Sequence, residues 1–77
     1  MAMAIMLVNA DPGKDRAVAR ALKRIKGVKG VCLVSGLYDV VATVRAGTSE
    51  QILATLYDKV RRLPGVRSSH TMFCLEV

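Results

Sequence analysis

The octapeptide Leu22-Lys23-Arg24-Ile25-Lys26-Gly27-Val28-Lys29 returns later in the chain as Val60-Arg61-Arg62-Leu63-Pro64-Gly65-Val66-Arg67. Every aligned pair is identical or similar except Lys26 with Pro64. Like sequences favour like local structure, so the supersecondary unit that the first copy closes should be closed again by the second. Each copy ends a helical pattern. Val18, Ala21, Leu22 and Ile25 recur at i, i+3, i+4, i+7, as do Leu53, Leu56, Tyr57 and Val60, which gives each helix one apolar stripe. Asp11-Pro12 predicts an N-cap followed by proline at the first helical position. Thr48 with Gln51 predicts a capping box on the second helix. Gly27 and Gly65 are placed to take the left-handed conformation that closes a helix, and Pro64 should stop the second one near Leu63.

Four short apolar runs remain: Ala4–Val8, Val31–Val34, Val40–Val44 and Thr71–Leu75. Each is bounded by turn-forming residues, as strands are. The order is then strand-helix-strand twice over. Two such units related by a pseudo-twofold axis make an α+β, ferredoxin-like βαββαβ sandwich. It has a four-stranded antiparallel sheet in the order 4-1-3-2, with both helices on one face.

The helices cover only that face. An antiparallel sheet with a wet second face alternates apolar and polar residues, but Ala4-Ile5-Met6-Leu7-Val8 and Val31-Cys32-Leu33-Val34 do not alternate. The uncovered face would be a contiguous apolar patch larger than monomers usually expose. Face-to-face pairing of two sheets would bury it. Size points the same way. A chain of 77 residues makes one domain with one modest core, and such domains rely on disulfides, metals or oligomerisation. Cys32 and Cys74 have no C-x-x-C spacing, fall on opposite edge strands in the expected order, and are read as small core side chains. His70 is the only histidine, too few for a dedicated zinc site. Oligomerisation is left, in keeping with the 52% hydrophobic content.

Several function classes find little support. No run is long enough to span a membrane; the apolar start Met1–Val8 has no preceding basic region and reads as a strand, which makes the cytoplasm the expected location. The net charge is +6, with seven of twelve basic residues between Lys14 and Lys29 and a second group at Lys59, Arg61, Arg62 and Arg67. Nucleic acid is one reading of that charge. The other, which we favour, is solvated helix ends, where cations meet the negative end of the macrodipole. Aromatic residues are 4% of the chain, too few for a base-stacking sheet. There is no Gly-rich phosphate loop and no cofactor motif. Asp11 and Asp15 are assigned to a helix start and Glu50 and Asp58 to a helix surface, which leaves no carboxylate pair for catalysis. A cysteine nucleophile with His70 as base is disfavoured by the apolar setting of both thiols.

Two polar stretches stand out. Ser35-Gly36-Leu37-Tyr38-Asp39 joins the second and third strands, and Arg67-Ser68-Ser69-His70-Thr71 opens the fourth. Taken alone, the first reads as an ordinary turn and the second as a solvated strand entry. Hydroxyl and backbone groups there would also suit the polar ends of a small zwitterion.

The chain resembles the effector-binding (RAM) domain of the leucine-responsive/AsnC transcriptional regulators along its whole length. The resemblance is carried in order by Val8-Asn9-Ala10-Asp11-Pro12-Gly13-Lys14, Gly27-Val28, Gly36-Leu37-Tyr38-Asp39, Leu63-Pro64-Gly65-Val66 and Thr71. It implies dimers paired through their sheets, often assembled further into tetramers or octamers, that bind amino acids or related small molecules at contacts between dimers. It places the ligand between Gly36–Asp39 and Ser68–Thr71. Asp39 would receive the α-amino group, with Gly36 allowing close approach. Leu37 and Tyr38 would shape the pocket, Ser69 and Thr71 would serve the carboxylate, and His70, where the family more often has a small residue, would tune the ligand. The family's helix-turn-helix domain does not precede Met1, so the expectation is a single stand-alone sensing module over residues 1–77. It would have no sequence-specific DNA binding alone and would act by co-assembling with full-length regulators. The alternatives are an adaptor module without ligand and a small dimeric enzyme of the monooxygenase type.

Overall fold

A computed structural model describes residues 1–77. Along the chain run β1 (Ala2–Ala10), α1 (Asp15–Lys23), β2 (Val28–Leu33), β3 (Val40–Ala46), α2 (Ser49–Asp58), a 3₁₀ turn (Val60–Arg62) and β4 (Val66–Cys74). The strands form one sheet in the order β2-β3-β1-β4, antiparallel throughout. This is the ferredoxin-like order anticipated from the repeat.

One strand face makes the core. Ala4, Met6, Val8 and Ala10 of β1 are buried together with Val40, Ala42 and Val44 of β3. They pack under Val18 and Leu22 of α1, Ile52 and Leu56 of α2, and Val60. No polar residue is fully buried in this layer. The opposite face follows from the register, because residues paired across an antiparallel ladder point the same way. Leu7 pairs with Val41 and His70, Ile5 with Thr43 and Met72, and Met3 with Cys74. Met3, Ile5, Leu7 and Val41 are only half-buried within the single chain, and no helix lies on that side.

The details depart from expectation in several places. First, α1 does not start at Asp11-Pro12. Asp11 to Lys14 is a β-turn closed by the Lys14 N–H donating to the Asp11 carbonyl at 2.9 Å. Gly13 sits at φ +78°, so this is the Pro-Gly type II turn, which delays the helix. The helix then begins at Asp15 without a side-chain cap. Second, the inward stripe of α2 is Ile52, Leu56 and Val60, whereas Leu53 and Tyr57 face outward at 38% and 56% exposure. The sequence holds two adjacent apolar stripes on this helix, and packing selects the one at i, i+4, i+8. The capping box forms as expected, Thr48 Oγ1 accepting from the Gln51 N–H at 3.2 Å and Gln51 Oε1 accepting from the Thr48 N–H.

Third, β4 opens at Val66 and not at Thr71, so Ser68, Ser69 and His70 are strand residues paired with Asn9, Val8 and Leu7. Ladder bonds are made by backbone and do not need apolar side chains; on an edge strand polar side chains hide the strand from a hydrophobicity reading. Fourth, β2 runs Val28–Leu33, earlier than Val31–Val34, with a bulge between Val28 and Gly30. Fifth, the cysteines are not core residues: Cys32 is exposed and Cys74 half-buried. Cys32 pairs with Val41 and Cys74 with Met3, which puts both thiols on the uncovered face, at opposite edges.

The repeat glycines are left-handed as expected but close turns and not helices: the Val28 N–H donates to the Ile25 carbonyl and the Val66 N–H to the Leu63 carbonyl, while the helix C-caps are Arg24 and Lys59. Gly27 and Gly65 both have left-handed φ, +95° and +90°. At Gly65 a Cβ would also lie 2.9 Å from the Lys14 Cβ, so this position needs glycine for space as well as for conformation.

Candidate functional site

The β2–β3 connection and the first half of β4 meet at one corner of the sheet, joined by the end of β1. The connection is closed by the Val34 N–H donating to the Asp39 carbonyl at 2.9 Å. Gly36 takes φ +128°, with nothing within 4 Å of where a Cβ would stand. Its glycine is therefore required by backbone conformation alone. Leu37 projects from the tip at 89% exposure, while Tyr38 and Asp39 turn inward and are half-buried.

Asp39 extends the β1 ladder. Its N–H donates to the Val8 carbonyl at 3.0 Å. Its Oδ2 accepts from the Ala10 N–H at 2.8 Å. That bond satisfies a β1 donor beyond the last β1–β3 pair, Val8 with Val40. Oδ1 has no hydrogen bond within the chain, so half of the carboxylate is structural and half is free.

Tyr38 reaches β4. Its ring meets the His70 ring edge to face, with centroids 5.7 Å apart and planes at 73°, a favourable aromatic geometry. Next to them Asn9 Nδ2 donates to Ser68 Oγ at 3.2 Å. Tyr38, His70, Ser68 and Asn9 thus form one cluster at the rim of the uncovered apolar face. The two polar stretches singled out in the sequence are brought together within a single chain.

Not all eight expected residues join that cluster. Successive strand residues point to opposite faces. Ser68 and His70 share the open face with Asn9 and Leu7, whereas Ser69 and Thr71 share the helix side with Val8 and Met6. Ser69 Oγ instead accepts from Arg61 Nε at 3.5 Å. Thr71 Oγ1 is buried with no hydrogen-bond partner in the chain. Leu37 contributes only an exposed apolar tip.

The sequence reading left three residues out of the site, Arg67 among them although it heads the second polar stretch. Asn9 looked like the end of an apolar run. Arg61 and Arg67, assigned to solvated faces, line a shallow basin of about 450 Å³ with Val66, Ser68, Ser69 and His70. Arg61 also lies over the Tyr57 ring, 5.0 Å from its centroid, and the Arg67 Nε is 3.9 Å from Asp11 Oδ1. The available signal was the repeat itself, whose second copy puts cations on both sides of Gly65 and directly ahead of the Ser-Ser-His segment.

A ferredoxin-like sandwich with an open apolar sheet face and a hydroxyl- and cation-lined corner has the parts of a ligand-binding domain. Comparison with known proteins agrees. The chain belongs to the Lrp/AsnC ligand binding domain family, whose model matches residues 3–77. The family is one of transcriptional regulators' ligand-binding domains, not of enzymes. Among curated proteins it is 39% identical over 72 residues to the uncharacterized HTH-type transcriptional regulator PH1916 of Pyrococcus horikoshii, a match covering 90% of this chain and 48% of that protein. The chain spans about half the length of the curated relatives it matches. Among solved structures, TTHA0845 from Thermus thermophilus superposes with a TM-score of 0.94 at 26% identity, covering all of this chain and 96% of that one. The transcriptional regulator NMB0573 of Neisseria meningitidis, solved as a complex with L-Met, shares the fold at a TM-score of 0.86 and 16% identity, over 97% of this chain and 50% of that one.

Proposed function

We propose that this ligand-binding domain senses an amino acid or a related small molecule as a homo-oligomer, with the ligand held at the Tyr38–His70 corner. The observation that carries the reading is the edge-to-face contact of Tyr38 with His70, which joins two polar stretches at the rim of an uncovered apolar face. The free Asp39 Oδ1 is the acceptor for an α-amino group, a charge-assisted bond of the stronger kind. Arg61, Arg67 and the Ser68 and Ser69 hydroxyls, which line the basin beside His70, suit the carboxylate. Gly36 and Leu37 at the exposed tip complete the set, and a second copy across a dimer contact would enclose it; Thr71, whose buried hydroxyl lies on the helix side opposite Met6, stays outside it. The neisserial regulator of the same fold, a complex with L-Met, supports an amino acid as the ligand class.

Assembly begins with two sheets paired through Met3, Ile5, Leu7, Val41 and Met72. Tetramers or octamers follow by further contacts, and full-length family regulators are the heterologous partners. We assign residues 1–77 to one sensing domain that does not read DNA sequence by itself and that works in the cytoplasm. The regulator relatives support that setting, and no helix is long and apolar enough to cross a membrane.

Calorimetry against the twenty amino acids tests the ligand, and light scattering tests the assembly. Saturable binding of at least one amino acid by an oligomer is the expected result. A second reading, an adaptor without ligand, is favoured by one observation: Asp39 already spends Oδ2 on the Ala10 N–H. An oligomer silent toward all twenty would establish that reading, and a stable monomer at micromolar concentration would remove both.

A further inference from the structure

At the end of the sheet opposite the Tyr38–His70 corner, three separate segments bring cations into one concavity. β3 runs between the two places from Val40 to Ala46, a span of roughly 20 Å at strand rise. The concavity, about 380 Å³, is lined by Lys26 and Gly27 of the α1–β2 turn, Lys29 of β2, Arg45 of β3, Gln51 of α2 and Lys59 at the α2 end, among others. No acidic residue lines it. Arg45 is neutralised from outside by Glu76, Nη1 to Oε1 2.6 Å. Lys26, Lys29 and Lys59 are exposed and have no carboxylate within ion-pair distance.

Solvated helix ends account for one lysine at each terminus, since cations there meet the helix dipole. They do not account for the convergence of three segments on a shared hollow without a counter-charge, where like charges repel. One neutral side-chain donor between the lysines is also left free. Gln51 Oε1 accepts from the Gly47 and Thr48 N–H groups at 2.9 and 3.3 Å, which leaves the Gln51 amide NH₂ without a partner. Thr55 Oγ1 gives its one hydrogen to the Gln51 carbonyl at 3.0 Å, so the Gln51 amide is the neutral side-chain donor that remains uncommitted.

From these observations we infer that the Lys26–Lys29–Lys59 basin is a binding site for a small phosphate-bearing anion, separate from the amino-acid corner and independent of that assignment. A multiply charged phosphate is favoured over a single carboxylate by the number of free cations. The Arg45 guanidinium, which would grip either anion, is already held by Glu76. What remains is three ammoniums with no acidic residue in the lining, point charges that suit the several oxygens of a phosphate. A small anion is favoured over a nucleic-acid strand by shape, because the volume is that of an ordinary small-molecule pocket and the donors face one hollow.

Calorimetric titration of the purified protein with pyrophosphate at low ionic strength tests the inference. Saturable binding at one equivalent per chain is expected. The pair Lys26→Gln and Lys59→Gln should weaken it by at least about tenfold, the scale of a lost charged hydrogen bond, and Lys29→Gln alone should weaken it measurably. The pair Arg16→Gln and Arg62→Gln removes the same net charge from residues outside the basin and should leave the affinity near wild type. All these side chains are exposed, and circular dichroism confirms that each variant is folded. Equal weakening by the two pairs would reduce the effect to net charge and overturn the site. So would the absence of saturable pyrophosphate binding, tighter binding of citrate than of pyrophosphate, or binding of duplex DNA that pyrophosphate does not displace.

Discussion

The two faces of β1 are written in the same apolar alphabet but sit in different surroundings. Ala4, Met6 and Val8 are fully buried under the helices, whereas Met3, Ile5 and Leu7, interleaved with them, are only half-buried. The helix face is finished within one chain. The other face carries comparable apolar residues and has no cover of its own. That difference separates what holds the chain together from what brings chains together, and it can be probed one face at a time.

The largest effect is expected on the open face. Leu7→Asp puts a carboxylate at the centre of the proposed sheet-to-sheet contact, twice in a symmetric dimer, and an uncompensated buried charge costs about 3–5 kcal/mol. Light scattering should show dissociation to monomers whose circular dichroism keeps the helical and strand signal. An intact oligomer would mean that the chains associate through some other surface.

On the covered face, Met6→Ala should cost about 2–5 kcal/mol of unfolding stability, the range for deleting a large buried side chain. Urea melts should show a lower midpoint and, after refolding at sufficient protein concentration, the same oligomeric state. A loss below about 1 kcal/mol would imply that the core collapses to fill the gap.

Asp39→Asn acts where the two faces end. The amide oxygen can still accept from the Ala10 N–H, so melting should change little, while loss of the charge should weaken amino-acid binding by roughly 1.5–3 kcal/mol. Unchanged affinity with a lowered melting temperature would make Asp39 purely structural. The smallest effect is expected outside both faces: Leu53→Gln, on the outward stripe of α2, should move stability by no more than about 0.5 kcal/mol. A loss of several times that would show that a neighbouring chain covers Leu53.

How much of this was legible in the residues varies by element. The repeat, the capping box at Thr48 and Gln51, and the glycines at 27 and 65 are local signals, and the strand order and fold class followed from them. The first half of β4 was not legible. Arg67 to His70 are polar because they lie on an edge strand, and what makes them a strand is the free ladder of β1 beside them. The candidate site was less legible. Taken alone, the stretch with Tyr38 and Asp39 reads as an ordinary turn, and the family resemblance is what singled these residues out; His70 stood out as the lone histidine, but Asn9 and Arg61 could not be picked out. Neither carries a local signal, and each acquires its place only when β4 is laid along β1.

By itself, then, the chain's order of residues determined the things that depend on neighbours within a few positions: helix stripes, caps, turns, and the absence of alternation that leaves one sheet face bare. Tertiary structure decided which of two apolar stripes α2 buries, that Pro12-Gly13 spends itself on a turn before α1 begins, and that Ser69 and Thr71 point away from Ser68 and His70. It also decided that Lys26, Lys29 and Lys59 share one hollow. The physical reason is the same in each case. Side-chain direction and long-range proximity are set by strand register and by packing against the sheet, and neither is encoded in a stretch of sequence short enough to read on its own.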